Sequence, residues 1–168
     1  MNDLKFYKKY NDVESPFHAT SNAACFDIHA YIKEDIPITV YGMDNVKEKK
    51  IPTGGILVLR PGDRVLVPTG LIFDIPVHHS VRIHARSSIS LKFGLTIPNG
   101  EGIIDSDYYH ETFVMLYNAS ADEVTIEDGT RIAQGEMVRN DAYDVLETNQ
   151  VPAKKTNRVG GFGSTGVK

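Results

Sequence analysis

Short runs of β-branched and other apolar residues, each ended within a few positions by turn residues, are the feature that most constrains the fold of this chain. The clearest runs are residues 56–59, 65–67, 112–117, 124–126 and 131–138, with turns at 61–63 and 127–129. Runs of this length and spacing are typical of the strands of a sandwich or barrel. The sequence therefore predicts an all-β fold.

Residues 80–86 alternate between apolar and polar side chains, and residues 87–92 break the alternation. On a strand, Val81 and Ile83 would face the core while Arg82 and His84 face the other way. Residues 87–92 are predicted to form one short helix, because the segment opens with serines, which cap helices well, and stops at Gly94.

Composition excludes several classes of protein. The chain has 168 residues, enough for one domain with a sizeable core, and 41% of them are hydrophobic. Its only cysteine, Cys25, cannot form an intrachain disulfide, and we expect a cytoplasmic protein, in a cell or in the host of a virus. No apolar run is long enough to span a membrane. The net charge of −4 argues against duplex nucleic acid as a partner but allows a small anion in a positive pocket.

Two segments stand apart from the strand pattern. Residues 41–55 are polar and interrupted by glycine and proline, as in a surface loop, an exposed hairpin or a partner-binding insertion. Residues 150–168 are polar and then glycine-rich, which is typical of a frayed terminus. Phe162 allows a second interpretation, in which its ring stacks on a planar ligand while glycine N–H groups, Ser164 and Thr165 bind phosphates.

Two further clusters carry candidate chemistry. Arg86, Ser87 and Ser88 lie where a strand gives way to a helix, which suits either anion binding or simple capping. Asp105 and Asp107 follow Gly102-Ile103-Ile104 at alternate positions and would share a face of an extended chain, where a carboxylate among apolar neighbours can act as a general base. The alternative is a turn, and Asn99-Gly100 is by itself a strong hairpin signal.

Taken together, these segments resemble the five ordered motifs of the trimeric dUTP pyrophosphatase family. The matching segments are residues 23–28, residues 86–88 with Lys92, residues 99–108, residues 129–134, and Arg158 with residues 160–166. The resemblance implies a jelly-roll-like dUTPase fold that assembles as a homotrimer. It also implies a β-sandwich domain over residues 1–149, with an insertion at about 41–55, and a flexible arm over 150–168 that closes over a neighbouring subunit's active site.

The resemblance also implies a role for each matching position. Asp105 corresponds to the general base that activates water for attack on the α-phosphorus of dUTP. Uracil would be read by Asn99 and by the backbone of Gly102, Ile103 and Ile104. Tyr108 would lie under the deoxyribose and exclude a 2′-hydroxyl. Phosphate contacts would come from Arg86, Ser87, Ser88, Gln134, Arg158, Gly163, Ser164 and Thr165, with Phe162 stacked over the base.

Magnesium is the implied cofactor, held mainly by phosphate oxygens and touched by Asp27 through water only.

Two alternatives stay open. A dCTP deaminase, or a bifunctional relative, would need a glutamate near the base, and Glu101 and Glu111 are the nearby candidates. A nucleotide-sensing regulator would bind a protein partner at residues 41–55.

Overall fold

A computed structural model of the chain describes residues 3–157 and residue 160. Over these residues it contains thirteen strands and one helix. The strands are β1 (Lys5–Lys8), β2 (Phe26–His29), β3 (Ile38–Tyr41), β4 (Lys47–Lys50), β5 (Ile56–Leu59), β6 (Arg64–Pro68), β7 (Leu71–Asp74), β8 (His79–His84), β9 (Leu95–Thr96), β10 (Gly102–Asp105), β11 (Phe113–Asn118), β12 (Val124–Glu127) and β13 (Arg131–Arg139), and the helix is α1 (Ser87–Phe93). The all-β prediction with one short helix is confirmed.

Two main antiparallel sheets enclose one hydrophobic core. The first has the strand order β10-β8-β13-β2 and the second the order β4-β3-β6-β11-β9, and two further pairs, β1-β7 and β12-β5, complete the fold. The core cluster takes Ile28 and Val81 from the first sheet and Val67 and Leu116 from the second, all fully buried. Buried and more exposed residues alternate along most of β8 in the first sheet and along β3 and β11 in the second, so one face of each sheet can carry polar side chains.

The predicted alternation of β8 is confirmed and sets the register of the first sheet. Val81 and Ile83 are buried, whereas Arg82 and His84 are partly exposed. Gln134 of β13 lies opposite both His84 of β8 and Asp27 of β2. Two of the side chains predicted to carry chemistry, Asp27 and Gln134, are thus neighbours on one face of this sheet.

Two local predictions are wrong. The helix N-cap is Arg86 and has no side-chain hydrogen bond, so the serines are its first two helical residues rather than its caps. The turn at Asn99-Gly100 does not close a hairpin, because β9 pairs with β11 in one sheet while β10 pairs with β8 in the other. A glycine with φ of 78° at position 100 serves a crossing between sheets equally well.

Residues 41–55 include an exposed hairpin at the edge of the second sheet. Strand β3 pairs with β4 around a turn that closes at Gly42 and Asn45. Asp63, only 2% exposed, ties this hairpin to the core, because its Oδ2 accepts hydrogen bonds from Lys50 Nζ at 2.8 Å and from the Arg60 backbone N–H at 3.0 Å. The hairpin interpretation of this segment is confirmed.

We expect Asp63→Asn to destabilise the fold in a pH-dependent way. Burial alone would raise the pKa of Asp63, but hydrogen bonds from Lys50 and Arg60 and their charges outweigh it and lower the pKa below its ordinary 3.8. The stabilisation is therefore present above pH about 4 and lost as pH falls through the lowered pKa. Urea unfolding at pH 7 should show a loss of about 1–3 kcal/mol, shrinking below pH 4.

Asp35→Asn is the matched control, because Asp35 is an exposed carboxylate in the loop before β3. It should leave the free energy of unfolding unchanged at both pH values. An equal loss in the two variants would show that Asp63 does not tie the hairpin down.

Candidate active site

One cleft at the sheet surface contains Asp105. It has a volume of about 310 Å³. The lining residues are Leu66, Ile103, Ile104, Asp105, Tyr108, Thr112 and Phe113. Asp105 is the only ionisable carboxylate among these residues and is surrounded mainly by apolar and aromatic groups, an environment that suits a positioned general base.

Strand β10 offers backbone groups as well as a carboxylate. It lies at the edge of its sheet, with β8 on one side only. An edge strand keeps one row of N–H and C=O groups unpaired. Because the backbone groups of successive residues alternate in direction along an antiparallel strand, every second residue of β10 can present its N–H and C=O to a planar base held in the cleft.

Two of the residues that the resemblance assigns to the base do not line this cleft. Asn99 and Gly102 are not among its lining residues, and the Asn99 side chain donates to the Glu101 carbonyl oxygen at 3.0 Å. Asp107 belongs to the turn after β10, so the prediction that Asp105 and Asp107 share a face is wrong. The strand ends at Asp105, and the two-residue alternation ends with it.

The second cleft brings together residues of three separate motifs. It has a volume of about 370 Å³. The lining residues are Ala19, Ala23, Ala24, Cys25, Asp27, Arg86, Ser87, Ser88, Arg131 and Gln134. Two guanidinium groups, two hydroxyl groups and an amide thus surround one space, a set of donors suited to phosphate oxygens.

Asp27 is the centre of this second cleft. Its side chain is 9% exposed, its Oδ1 lies 2.9 Å from Arg86 Nε, and its Oδ2 lies 3.0 Å from Arg131 Nη1. Arg86 Nη1 also donates to the Arg131 carbonyl oxygen at 3.2 Å. One carboxylate therefore holds two cations beside each other and fixes their orientation, which the sequence alone did not indicate for Arg131.

Cys25 and His29 border this region without suiting nucleophilic chemistry. Burial, followed by the negative charges of Glu136 and Asp27, raises the pKa of the Cys25 thiol. A thiol with a raised pKa stays protonated near neutral pH and reacts poorly. Burial also lowers the pKa of His29, whose ring stacks on Phe17 at 5.8 Å.

The two clefts lie far apart within one chain. Asp105 is opposite Ser80 of β8, and Gln134 is opposite His84, four residues further along the same strand. Four residues of strand span about 13 Å. A general base and an α-phosphate ligand must each come within hydrogen-bond distance of one phosphate group. A single chain therefore does not place Asp105 and Gln134 on the same phosphate.

The described residues fit a cation held chiefly by substrate. They contain no group of three or more histidine, cysteine, aspartate or glutamate side chains placed to hold a metal ion. Both oxygens of Asp27 are engaged by arginines, which leaves them able to contact a hydrated ion but not to encircle one. A contact between Asp27 and magnesium through water stays a prediction.

Five predicted site residues lie outside the described part of the chain. These are Arg158, Phe162, Gly163, Ser164 and Thr165. Three cleft residues were missed from the sequence, namely Leu66, Thr112 and Phe113. Only the pairing of β6 with β11 brings Leu66 and Phe113 together, and no local pattern indicates that pairing.

The fold and the site define a class of protein, an antiparallel β-sandwich with one cleft that holds a carboxylate among apolar and aromatic side chains and a second cleft that holds two arginines. The dUTPase family model matches residues 56–166. Deoxyuridine 5′-triphosphate nucleotidohydrolase from Caulobacter vibrioides is 35% identical over 156 residues, which cover 93% of this chain and 88% of the relative. The chain belongs to the dUTPase family.

Solved structures share the fold. The dUTPase of Staphylococcus bacteriophage 80alpha, solved with dUPNHPP, superposes with a TM-score of 0.77 at 19% identity and covers 99% of this chain and 100% of that one. A dUTPase from phage phi11 of S. aureus, described with a structural Mg(II) ion, superposes with a TM-score of 0.70 at 16% identity. The match covers 90% of this chain and 100% of that one. Among the described residues no helix is long and apolar enough to cross a membrane.

We expect Asp27→Asn to lower the free energy of unfolding substantially, although the side chain barely changes in size. The change leaves two guanidinium groups facing each other without a counter-charge. Breaking a buried ion pair by removing one partner costs about 3–5 kcal/mol, and the partly exposed arginines place this case at about 3 kcal/mol. Urea unfolding measures the loss, and Asp107→Asn, in an exposed turn, should show none.

Proposed function

We propose that the protein hydrolyses dUTP to dUMP and pyrophosphate at sites that combine the two clefts. Family membership and the Asp105 cleft on an edge strand are the observations that carry this proposal. This reaction would remove dUTP and so limit the entry of uracil into DNA. Its product dUMP would serve dTTP synthesis.

In the proposed reaction, Asp105 orients a water molecule and accepts its proton. The water oxygen forms a bond to the α-phosphorus, the bond from that phosphorus to the bridging oxygen breaks, and pyrophosphate leaves with the electron pair. In-line geometry requires the carboxylate on the side opposite the leaving group. General-base assistance of this kind contributes about 10²–10⁴-fold to the rate.

Substrate selection would occur in the Asp105 cleft. Free backbone groups of β10 pair with the uracil edge, and cytosine presents the opposite donor pattern at the same place. A site that hydrogen-bonds its ligand rejects such an analogue strongly, because buried polar groups are left unpaired. Tyr108 lies against the sugar and leaves no room for a 2′-hydroxyl, which excludes UTP.

The triphosphate would lie in the second cleft. Gln134 contacts the α-phosphate, and Arg86, Ser87 and Ser88 contact the following phosphates. When bound, Mg²⁺ neutralises part of the triphosphate charge. Asp27 keeps the two arginines in place and would contact the hydrated ion through water.

A homotrimer would complete each site from neighbouring subunits. The separation of about 13 Å along β8 supports this, because another copy of the chain can bring its second cleft next to the Asp105 cleft of the first copy. Residues 150–168 of a subunit would then close over the site, with Phe162 on the base and with Arg158, Gly163, Ser164 and Thr165 on the outer phosphates.

The deaminase alternative receives no support from the positions of the glutamates. Glu101 forms an ion pair with Arg82 at 3.1 Å, and its second carboxylate oxygen lies 3.7 Å from His84 Nδ1. Glu111 forms an ion pair with Lys9 at 2.6 Å. Neither glutamate lines the Asp105 cleft, so neither is placed to act on a base bound there.

A second role, binding of a protein partner, would use the β3–β4 hairpin. Val46 and Ile51 are more than half exposed near its two ends. This role coexists with catalysis. Replacing residues 42–46 by a glycine-serine turn should leave dUTP turnover unchanged, and a loss of turnover would show that the hairpin serves the active site instead.

We expect the purified protein with magnesium to release pyrophosphate from dUTP and not from dCTP, dTTP or UTP. Asp105→Asn should bind dUTP and lose turnover by ~10² to 10⁴-fold or more, because the water loses its base. Pyrophosphate release and dUTP binding are the two measurements.

Asp107→Asn is the matched control, because it makes the same change two residues away and outside the cleft. It should retain wild-type turnover. Near-normal turnover in Asp105→Asn would remove Asp105 from the mechanism, and ammonia release from dCTP would indicate a deaminase.

A further inference from the structure

The loop of residues 106–111, called here the Tyr108 loop, shapes one wall of the Asp105 cleft. It leaves the cleft at the end of β10 and returns to it at the start of β11. Tyr108 within the loop and Thr112 directly after it both line the cleft. The position of this loop relative to β6 and β7 therefore sets the width of the space around a bound sugar.

Glu111, at the end of the loop, is fixed to the body of the protein by both carboxylate oxygens. Its Oε1 accepts a hydrogen bond from the Gly70 backbone N–H at 2.9 Å, and its Oε2 accepts one from Lys9 Nζ at 2.6 Å. The side chain is only 11% exposed. The hydrogen bond to Glu111 is also the chief reason that the pKa of Lys9 is raised.

The attachment points of Glu111 are joined to each other and closely packed. Gly70 lies between β6 and β7 with φ of 67°, and its carbonyl oxygen accepts a hydrogen bond from the Lys9 backbone N–H at 2.9 Å. A Cβ at Gly70 would lie 2.4 Å from a methyl carbon of Val13, so the packing there leaves no slack. Glu111 is therefore held by two elements that are already joined to each other.

Backbone hydrogen bonds next to Glu111 fix this end of the loop further and connect it to Tyr108. The Thr112 N–H donates to the Leu71 carbonyl oxygen at 2.8 Å, and the Thr112 carbonyl oxygen accepts from Thr69 Oγ1 at 2.6 Å. The Tyr108 hydroxyl donates to the Glu111 carbonyl oxygen at 2.9 Å. Glu111 thus accepts the hydrogen bond of the Tyr108 hydroxyl and is itself anchored to the end of β1 and to the β6–β7 turn.

We propose that Glu111 is a positioning residue that sets the selectivity of the cleft for deoxyribose over ribose, by holding Tyr108 at a fixed distance from the sugar. The inference rests on the proposed function, since Tyr108 selects the sugar only if a nucleotide binds there. Discrimination against one extra oxygen atom depends on small displacements, and a misplacement of about 1 Å can change rates by about 10²-fold.

The test compares kcat/KM for dUTP with kcat/KM for UTP in Glu111→Ala, Glu111→Gln and the wild type. Glu111→Ala removes both anchors and should reduce the dUTP-to-UTP ratio by about 10- to 100-fold. Glu111→Gln keeps an oxygen for Gly70 and loses only a partly exposed ion pair, so its ratio should stay within about five-fold of wild type. Rescue by the amide separates positioning from charge.

Glu48→Ala is the matched control, because it breaks another glutamate ion pair, at 3.0 Å to Arg60, on the distant hairpin. Its ratio should equal that of wild type. Tyr108→Phe leaves the contacts of Glu111 intact and removes only the hydrogen bond from the Tyr108 hydroxyl to the Glu111 carbonyl oxygen. It should therefore lower the dUTP-to-UTP ratio about as much as Glu111→Ala is expected to. This variant keeps the proposal testable if Glu111→Ala fails to fold. An unchanged ratio in Tyr108→Phe, or in a folded Glu111→Ala that merely melts at a lower temperature, overturns the proposal.

Amide hydrogen exchange over residues 106–112 tests the anchor without substrate. Exchange should be faster in Glu111→Ala than in wild type and unchanged in Glu48→Ala, and equal exchange in all three overturns the proposal. A wild-type protein that fails to hydrolyse dUTP would instead refute the proposed function, while the exchange rates would still decide whether Glu111 holds the loop.

Discussion

The register of β8 between β10 and β13 is the constraint on which the rest of the structure depends. It places Asp105 opposite Ser80 and Gln134 opposite His84, at two ends of one strand. A slip of one residue would turn every side chain of β8 to the opposite face of the sheet. The buried pair Val81 and Ile83 makes such a slip costly, so the core fixes the positions of both clefts.

Charge in the second cleft shows how an acidic protein can bind a highly charged anion. The chain carries a net charge of −4, yet Arg86 and Arg131 lie together at the cleft. Asp27 compensates one of the two positive charges and leaves the pair net positive. The carboxylate thereby lowers the repulsion between the arginines and leaves the pair able to attract an anion.

Sequence patterns predicted what depends on near neighbours and failed where distant strands meet. Alternation in residues 80–86 predicted the buried and exposed faces of β8, and Gly94 predicted the end of the helix, because both depend on local geometry. The Asn99-Gly100 turn was misassigned because turn residues do not reveal which strands their flanks will pair with. The pairing of Asp27 with Arg131, 104 residues away, and the anchoring of Glu111 by Lys9 arise only in the folded chain.

Subunit complementation tests most directly the central claim that Asp105 and the phosphate cleft of one site come from different copies. Asp105→Asn and Arg86→Ala should each be inactive alone. In a ring of three subunits every mixed trimer has one site with both intact halves, so refolding the two variants together at equal amounts should restore about a quarter of wild-type turnover. No recovery in confirmed mixed trimers would contradict the claim, because it would mean that both residues act within the same chain.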